Sequence, residues 1–413
     1  MNRTQLLLSL AFLASPAALF AQAPPRFTID AADSLHADVT LQSLEETGAL
    51  HFGVAGARRT APRWIELRQV ERKLPALLTR SFLLLSNGDR IRLDPAAGAR
   101  LEDTRLHVRP AASVPSWRAK GLDLFAPYAV LLFWSLPEGV DDADRYFTQL
   151  AEEPRKRDAV FLKNGDRIDG TLSALSVKGG CTIATERKKI DVPPSQLAGI
   201  AWNTDRQARL RAKKPFARAA LEDGTRLNLV DLRFEEKSRQ WFGKTQFGAA
   251  VEMPEASVLA LDYRLGQAVD LAELAPTRYE QRPYLGVAWP LGRDAAADGL
   301  PLRLGGSTFE KGLGLHAPCQ VAYALDGKFR RFDALVGIDE LASPRGRAKI
   351  AIDIDGKRID VNAGKELTSQ AAPVAVRLDL DNAKTLTLIV EVGTFGDVQA
   401  NVNFAKARLI KKE

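Results

Sequence analysis

Only four histidines occur in the 413 residues: His36, His51, His107 and His316. The last sits in the run KGLGLHAP, Lys311 to Pro318, framed by glycines and a proline. An imidazole both donates and accepts hydrogen bonds. On a Gly-rich turn, His316 suits a polar ligand such as the vicinal hydroxyls of a sugar. The same side chain can bond neighbouring backbone and hold the turn, and the residue types leave both roles open. Asp339 closes the apolar run in VGIDE. It is either a contact to ligand or to the turn bearing His316, or a strand-end cap. The segment WPLGRDAAADG supplies Trp289, Arg293 and Asp294. An indole can form a platform under a sugar ring or fill a core. Asp397 and Asn403 lie near the last turn and strand and would border the same face.

Catalysis needs more than these groups. Glycoside hydrolysis requires two carboxylates set across a cleft, and the acids here mostly alternate on strand-like stretches without a defensible pair. The chain has no Gly-x-Ser-x-Gly elbow and no phosphate-binding Gly-rich loop opening a helix. Two cysteines and four scattered histidines do not make a zinc site. The expectation is a non-catalytic protein without a cofactor.

The length predicts several domains. A hydrophobic content of 46% and a charged content of 26% are those of a globular protein, and the net charge of +7 is a mild excess. The longest basic stretch, RQARLRAKKPFAR (Arg206 to Arg218), carries one aromatic and reads as a solvated linker, not a nucleic-acid surface. Residues 1–21 read as a signal peptide: Arg3, then LLLSLAFLASPAALF, then the small residues of FAQA, with cleavage after Ala21. No later run approaches the roughly 18 apolar residues of a membrane span. The mature chain is therefore expected to be exported, periplasmic or secreted, with no transmembrane segment. Cys181 and Cys319 fall in different segments and read as buried free thiols.

The elements that would carry these residues are strands. FLLLSNGDRIRL (Phe82 to Leu93), VFLKNGDRIDGTL (Val160 to Leu172) and AALEDGTRLNL (Ala219 to Leu229) share a pattern. Apolar residues lead into Asn-Gly or Asp-Gly, which predicts a tight hairpin with positive φ at both turn positions. Each copy closes on a proline, a polar turn and an apolar strand, as in FAPYAVLLFW, VPPSQLAGIAW and EMPEASVLALDY. The stretch Phe27 to Arg72 has the same rhythm without Asn-Gly. The chain is thus expected to be mainly β, with tandem small β-barrels over 26–76, 80–137, 159–205 and 216–265. They resemble the Sm-like or Src-homology-type class in topology. No basic loop interleaved with aromatics marks them as RNA binders, so a spacer or docking scaffold is expected. A helix is expected over 138–158, with an acidic start, a basic end and the stripe Tyr146, Phe147, Leu150.

From about Leu274 the chain turns Gly- and Pro-rich, and short alternating strands follow. KGLGLHAP, YALDGKFRRFDALVGIDE, RAKIAIDIDGKRI, VRLDLDNAKTLTLIVEVG and NVNFAKARLI, in this order, resemble the NPCBM family of carbohydrate-binding modules. The resemblance implies a galactose-binding-like jelly-roll β-sandwich over 274–413, with a glycan as partner. In the family a closing Asp-Trp occupies the place of Asn403-Phe404, so any charge that carboxylate brings to a ligand or cation is absent here. Such sandwiches often hold a structural calcium ion, whose carbonyl ligands sequence does not display. DIDGK (Asp353 to Lys357) reads as a hairpin instead. Two functions follow. One is an exported glycan binder with the barrels as spacer. The other is a structural or protein-interaction protein of the cell envelope whose sandwich no longer binds sugar.

Overall fold

The computed structural model describes residues 24–412 except 46–47, 71, 76–80, 112, 177–179, 213, 285, 287 and 343. The expected signal peptide, 1–21, lies outside the described residues.

The chain before residue 265 forms four antiparallel units. In the first, the strands Phe27–Ala31, Leu35–Leu44, Leu50–Val54 and Ala57–Ala61 pair in sequence, and the fifth, Trp64–Gln69, returns to pair with the first. Alternation puts Phe27, Ile29, Leu41, Phe52 and Leu67 inside and leaves polar neighbours outside. The third unit, Asp158–Leu162 through Leu197–Ala201, repeats this order. So does the fourth, Phe216–Leu221 through Val258–Arg264. The second unit keeps the pairing of its first strand, Phe82–Leu85, with its last, Ala129–Phe133. Its middle is broken into short strands and carries the helix Pro115–Lys120.

The Asn-Gly and Asp-Gly turns differ from expectation. Only the glycines Gly88, Gly165 and Gly224 have positive φ; Asn87, Asn164 and Asp223 do not. Their side chains instead accept hydrogen bonds from the backbone N–H two residues on, at Asp89, Asp166 and Thr225. This is a type I turn followed by a Gly bulge. Asp355-Gly356 in the sandwich does have positive φ at both positions, as the two-residue hairpin requires.

The units associate as nested pairs. The fifth strand of the first meets that of the fourth, with Leu67 opposite Leu261. The last strands of the second and third meet likewise, with Leu132 opposite Ile200. The outer faces of the two pairs are finished differently. On the second and third units it is apolar, and the helix Ala143–Glu152 covers it, packing Phe147 and Leu150 on Phe82, Phe133 and Phe161. Asp142 caps this helix by accepting from the Arg145 N–H at 3.0 Å. Its last turn holds no basic residue, because the run from Arg155 lies beyond its end.

On the first and fourth units the outer face is charged and mates with the C-terminal sandwich. Arg331 donates to the Ala32 carbonyl at 2.7 Å, and Asp30 pairs with Arg377 and Arg408. Lys406 pairs with Glu66, and Arg264 with Asp270. Glu310 receives Arg218 and Arg226, each at 3.0 Å. Burial would raise the pKa of Glu66, but Lys406 and Arg408 hold it down to about 2. Around Glu310, burial is likewise outweighed by Arg218, Arg90 and Arg226, which keep it well below the usual carboxylate range.

The sandwich has two antiparallel sheets. One contains Gly292–Arg293, Gly312–His316, Asn401–Lys411, Phe329–Ile338 and Val374–Asp379 in that spatial order. The other contains Arg278–Gln281, Cys319–Ala324, Thr385–Val392, Arg347–Ile354 and Lys357–Asp360. Leu313, Leu315 and Phe404 face Val321, Leu388 and Ile350 between them. The domain begins before the expected residue 274, since Ala268 pairs opposite Ile410 on the last strand. Cys181 and Cys319 are buried in the cores of different units, where burial pushes their thiols up to about 11 and about 12. No helix of the described residues is long and apolar enough to cross a membrane.

Candidate functional site

The stretch KGLGLHAP is a strand, not the expected turn. Gly312–His316 runs antiparallel to the last strand, with His316 opposite Asn401 and Gly314 opposite Asn403. Leu313 and Leu315 fill the core, so Gly312, Gly314 and His316 face the other way. The glycines are there for clearance. A Cβ on Gly314 would stand 2.4 Å from the Ala296 Cα, and one on Gly312, whose φ is +146°, 2.4 Å from the Phe404 carbonyl oxygen. A side chain at Gly314 would lift the 289–296 segment, which carries Trp289, off the strand, and one at Gly312 would press on the last strand at Phe404 and Ala405.

Trp289 lies on His316, with ring centroids 4.5 Å apart and planes 22° from parallel. His316 is 4% exposed, and its Nδ1 hydrogen-bonds the Asn401 Oδ1 at 2.7 Å. The backbone of Trp289 is pinned twice from the opposite sheet. Its N–H donates to the Gln281 Oε1 at 2.7 Å, and its carbonyl accepts from the Tyr279 hydroxyl at 2.9 Å. The half-buried indole thereby walls a shallow depression of about 440 Å³ shared with Tyr279, Glu280, Gln281, Arg282 and Ala288. The Gln281 Nε2 is buried there without a hydrogen-bond partner among the described residues. That nitrogen lies under the wall and out of reach of solvent, so the polar groups the depression itself offers beside the ring are Glu280 and the exposed Arg282. Tyr284 and Phe395 add exposed aromatic surface on loops at the same end of the sandwich.

The other expected site residues lie elsewhere. Asp339 and Asn403 are brought together: the Asn403 Nδ2 donates to the Asp339 Oδ2 at 2.6 Å and to the Arg303 carbonyl at 3.3 Å. They are 3% and 0% exposed. Neither reaches solvent, so the expectation that they contact ligand is corrected. Burial raises the Asp339 carboxyl, against the Leu341 N–H and Asn403, which stabilise its charge. Arg303 continues to Asp144 on the helix, so this pair is part of the packing between domains. Arg293 is also withdrawn from the expected site. Its guanidinium donates to the carbonyls of Ala272 at 2.7 Å and Leu274 at 3.0 Å, which ties down the domain's entry segment. Among the described residues no group of three or more His, Cys, Asp or Glu side chains could hold a metal ion.

Sequence reasoning missed Asn401, Gln281 and Tyr279. Asn401 had a signal, since alternation in ANVNF puts it on the face of Asn403. Gln281 and Tyr279 had none, because they meet Trp289 across the two sheets.

Residues 268–410 match the NPCBM/NEW2 domain family. A protein of Renibacterium salmoninarum that bears the name endo-alpha-N-acetylgalactosaminidase is 30% identical over 119 residues, which is 29% of this chain and 8% of that protein. Among solved structures, a Clostridium perfringens CBM51 from GH95 in complex with methyl-galactose is 23% identical over 34% of this chain and 99% of that one, with a TM-score of 0.31. A second, CBM51-2 and INT domains of Clostridium perfringens ZmpB in complex with GlcNAc, is 16% identical over 57% of this chain and 44% of that one, with a TM-score of 0.32.

Proposed function

With residues 268–410 an NPCBM/NEW2 domain, we propose that this protein is an exported, non-catalytic glycan binder. The sandwich binds the sugar, and the four antiparallel units, small barrels of the Sm-like or Src-homology type, serve as its scaffold. The observation that carries this reading is the Trp289 depression: a half-buried ring held on His316 and fixed through its backbone by the Gln281 Oε1, with the exposed Arg282 on the same wall. A sugar lays its C–H face on the indole and meets the exposed Arg282 with a hydroxyl, while Gln281 positions the ring. His316 serves as the floor under the indole. The scaffold's role is to fix the orientation of the module through the ion pairs at Glu66, Asp30 and Glu310.

The test is a glycan array followed by titration calorimetry with the full chain. Trp289→Ala and Gln281→Ala should each weaken the best neutral glycan at least tenfold without loss of the fold. Silence of the wild type on every glycan at high protein concentration would sink the reading. It would favour the second one, an envelope interaction protein. The withdrawal of Asp339 and Asn403 from the surface supports that alternative.

A further inference from the structure

A different cleft opens where the first and fourth units pair. Its volume of about 790 Å³ lies within the roughly 300–1,000 Å³ of ligand pockets. Trp64 comes from the first unit, and Phe216, Phe242 and Tyr263 come from the fourth. Trp64 and Tyr263 meet across the seam at 5.1 Å, so the wall depends on the pairing of Trp64–Gln69 with Val258–Arg264.

The polar groups on this wall are of both signs. Lys244 is 3.8 Å from Asp231, and Glu45 is 2.7 Å from the His51 ring. Among the described residues, no hydrogen bond or ion pair engages the side chains of Lys214, Arg233 or Glu252, and the Tyr263 hydroxyl has no hydrogen-bond partner. Arg233 is laid flat 4.8 Å over the Phe242 ring, which orders its guanidinium ahead of any ligand.

We propose that this cleft binds an acidic oligosaccharide, one carrying carboxylate or sulfate groups. Free Lys214 and Arg233 match its anions. Aromatic rings match its C–H faces, and the Tyr263 hydroxyl and Glu252 match its hydroxyls. The free carboxylate separates this ligand from a nucleic acid. A phosphate backbone offers Glu252 only repulsion, whereas sugar hydroxyls donate to it. The site is distinct from the Trp289 depression and rests on the glycan-binding reading only in choosing a saccharide over other anions.

The experiment is calorimetry on the full chain with a galacturonate hexamer, a heparin hexasaccharide and a single-stranded thymidine oligonucleotide. At least one hexasaccharide should bind, more weakly as salt rises. The Lys214→Ala/Arg233→Ala double variant should lose at least tenfold in affinity while keeping the wild-type melting temperature and any neutral-glycan binding. Both side chains are exposed, so the fold should tolerate their loss. The proposal is overturned if neither hexasaccharide binds, if the double variant binds as the wild type does, or if the oligonucleotide binds as tightly. It is also overturned if Trp289→Ala abolishes hexasaccharide binding and the double variant does not, since the ligand then sits on the sandwich. Failure of the neutral-glycan titration alone tests the other site and leaves this one measurable.

Discussion

Trp289 and His316 stack at 4.5 Å, with the histidine beneath and the indole at the surface. Their substitutions should therefore separate. Trp289→Ala removes a half-exposed ring and should abolish sugar binding with little change in melting temperature. His316→Ala leaves the buried Asn401 Oδ1 contact unmet and the indole unsupported. It should cost about 1–3 kcal/mol and weaken binding indirectly. Thermal unfolding beside calorimetry checks this. A histidine variant that loses sugar and keeps full stability would make His316 a direct contact.

Glu310 stands among Arg90, Arg218 and Arg226. It is placed by a sandwich strand, Ser307–Phe309 and its continuation, and faces arginines of the second and fourth units. Glu310→Gln keeps the shape and removes the charge that balances three guanidinium groups. Breaking a pair of this kind costs about 3 kcal/mol. Denaturant unfolding should show that loss, and limited proteolysis should release the sandwich sooner than in the wild type. An unchanged midpoint would mean that solvent carries the arginines without it.

The same junction sets the pH response. Burial pushes Asp89 up to about 6 from an ordinary 3.8, against the pull of Arg218, and burial also raises Asp270 to about 6 despite Arg264. Each holds its proton more tightly when folded, so its contribution to stability falls as pH rises from about 4 to about 6. Glu66, held down to about 2, works in the opposite sense. Its stabilisation is complete above an ordinary 4.5 and is lost as pH falls toward 2. Stability should peak between about pH 4 and 5. Asp89→Asn should shrink the decline between about pH 4 and 6, read as melting temperature against pH. A decline of wild-type size in that variant would remove Asp89 from the account.

The β character, the repeat and the sandwich were legible because alternation and turn residues are local signals. Asn87-Gly88 shows where local reading stops: the pair marks a hairpin, but the Asp89 N–H bonded to the Asn87 side chain decides which turn it is. His316 and Trp289 were legible as candidates because rare residues on a Gly-rich segment stand out. Asp339, Asn403 and Arg293 were polar residues in plausible places, yet Asp339 and Asn403 find each other in the interior and Arg293 is engaged by the carbonyls of Ala272 and Leu274, partners that local sequence does not display. The nested pairing of units leaves no trace in sequence beyond apolar last strands. It depends on which backbone edges meet and, where the second and third units cross, on one residue that must be small.

Gly199 is such a residue. It lies opposite Phe133 where the last strands of the second and third units pair, and a Cβ there would stand 2.3 Å from the Phe133 Cδ1. The ring has little room to yield, because Phe82, Phe147 and Phe161 pack around it at centroid distances of 6.2, 4.9 and 5.4 Å. Gly199→Ala should therefore destabilise by about 1–3 kcal/mol, an overpacking cost, although alanine suits an extended strand no worse than glycine. Phe133→Leu makes space at its own expense. In a Phe133→Leu background the added methyl should cost less than half of what it costs alone, which a double-mutant cycle of unfolding free energies measures. Additive costs would show that the pairing accommodates the methyl by sliding the strands, and that the close approach of Gly199 to Phe133 is not what holds the two units together.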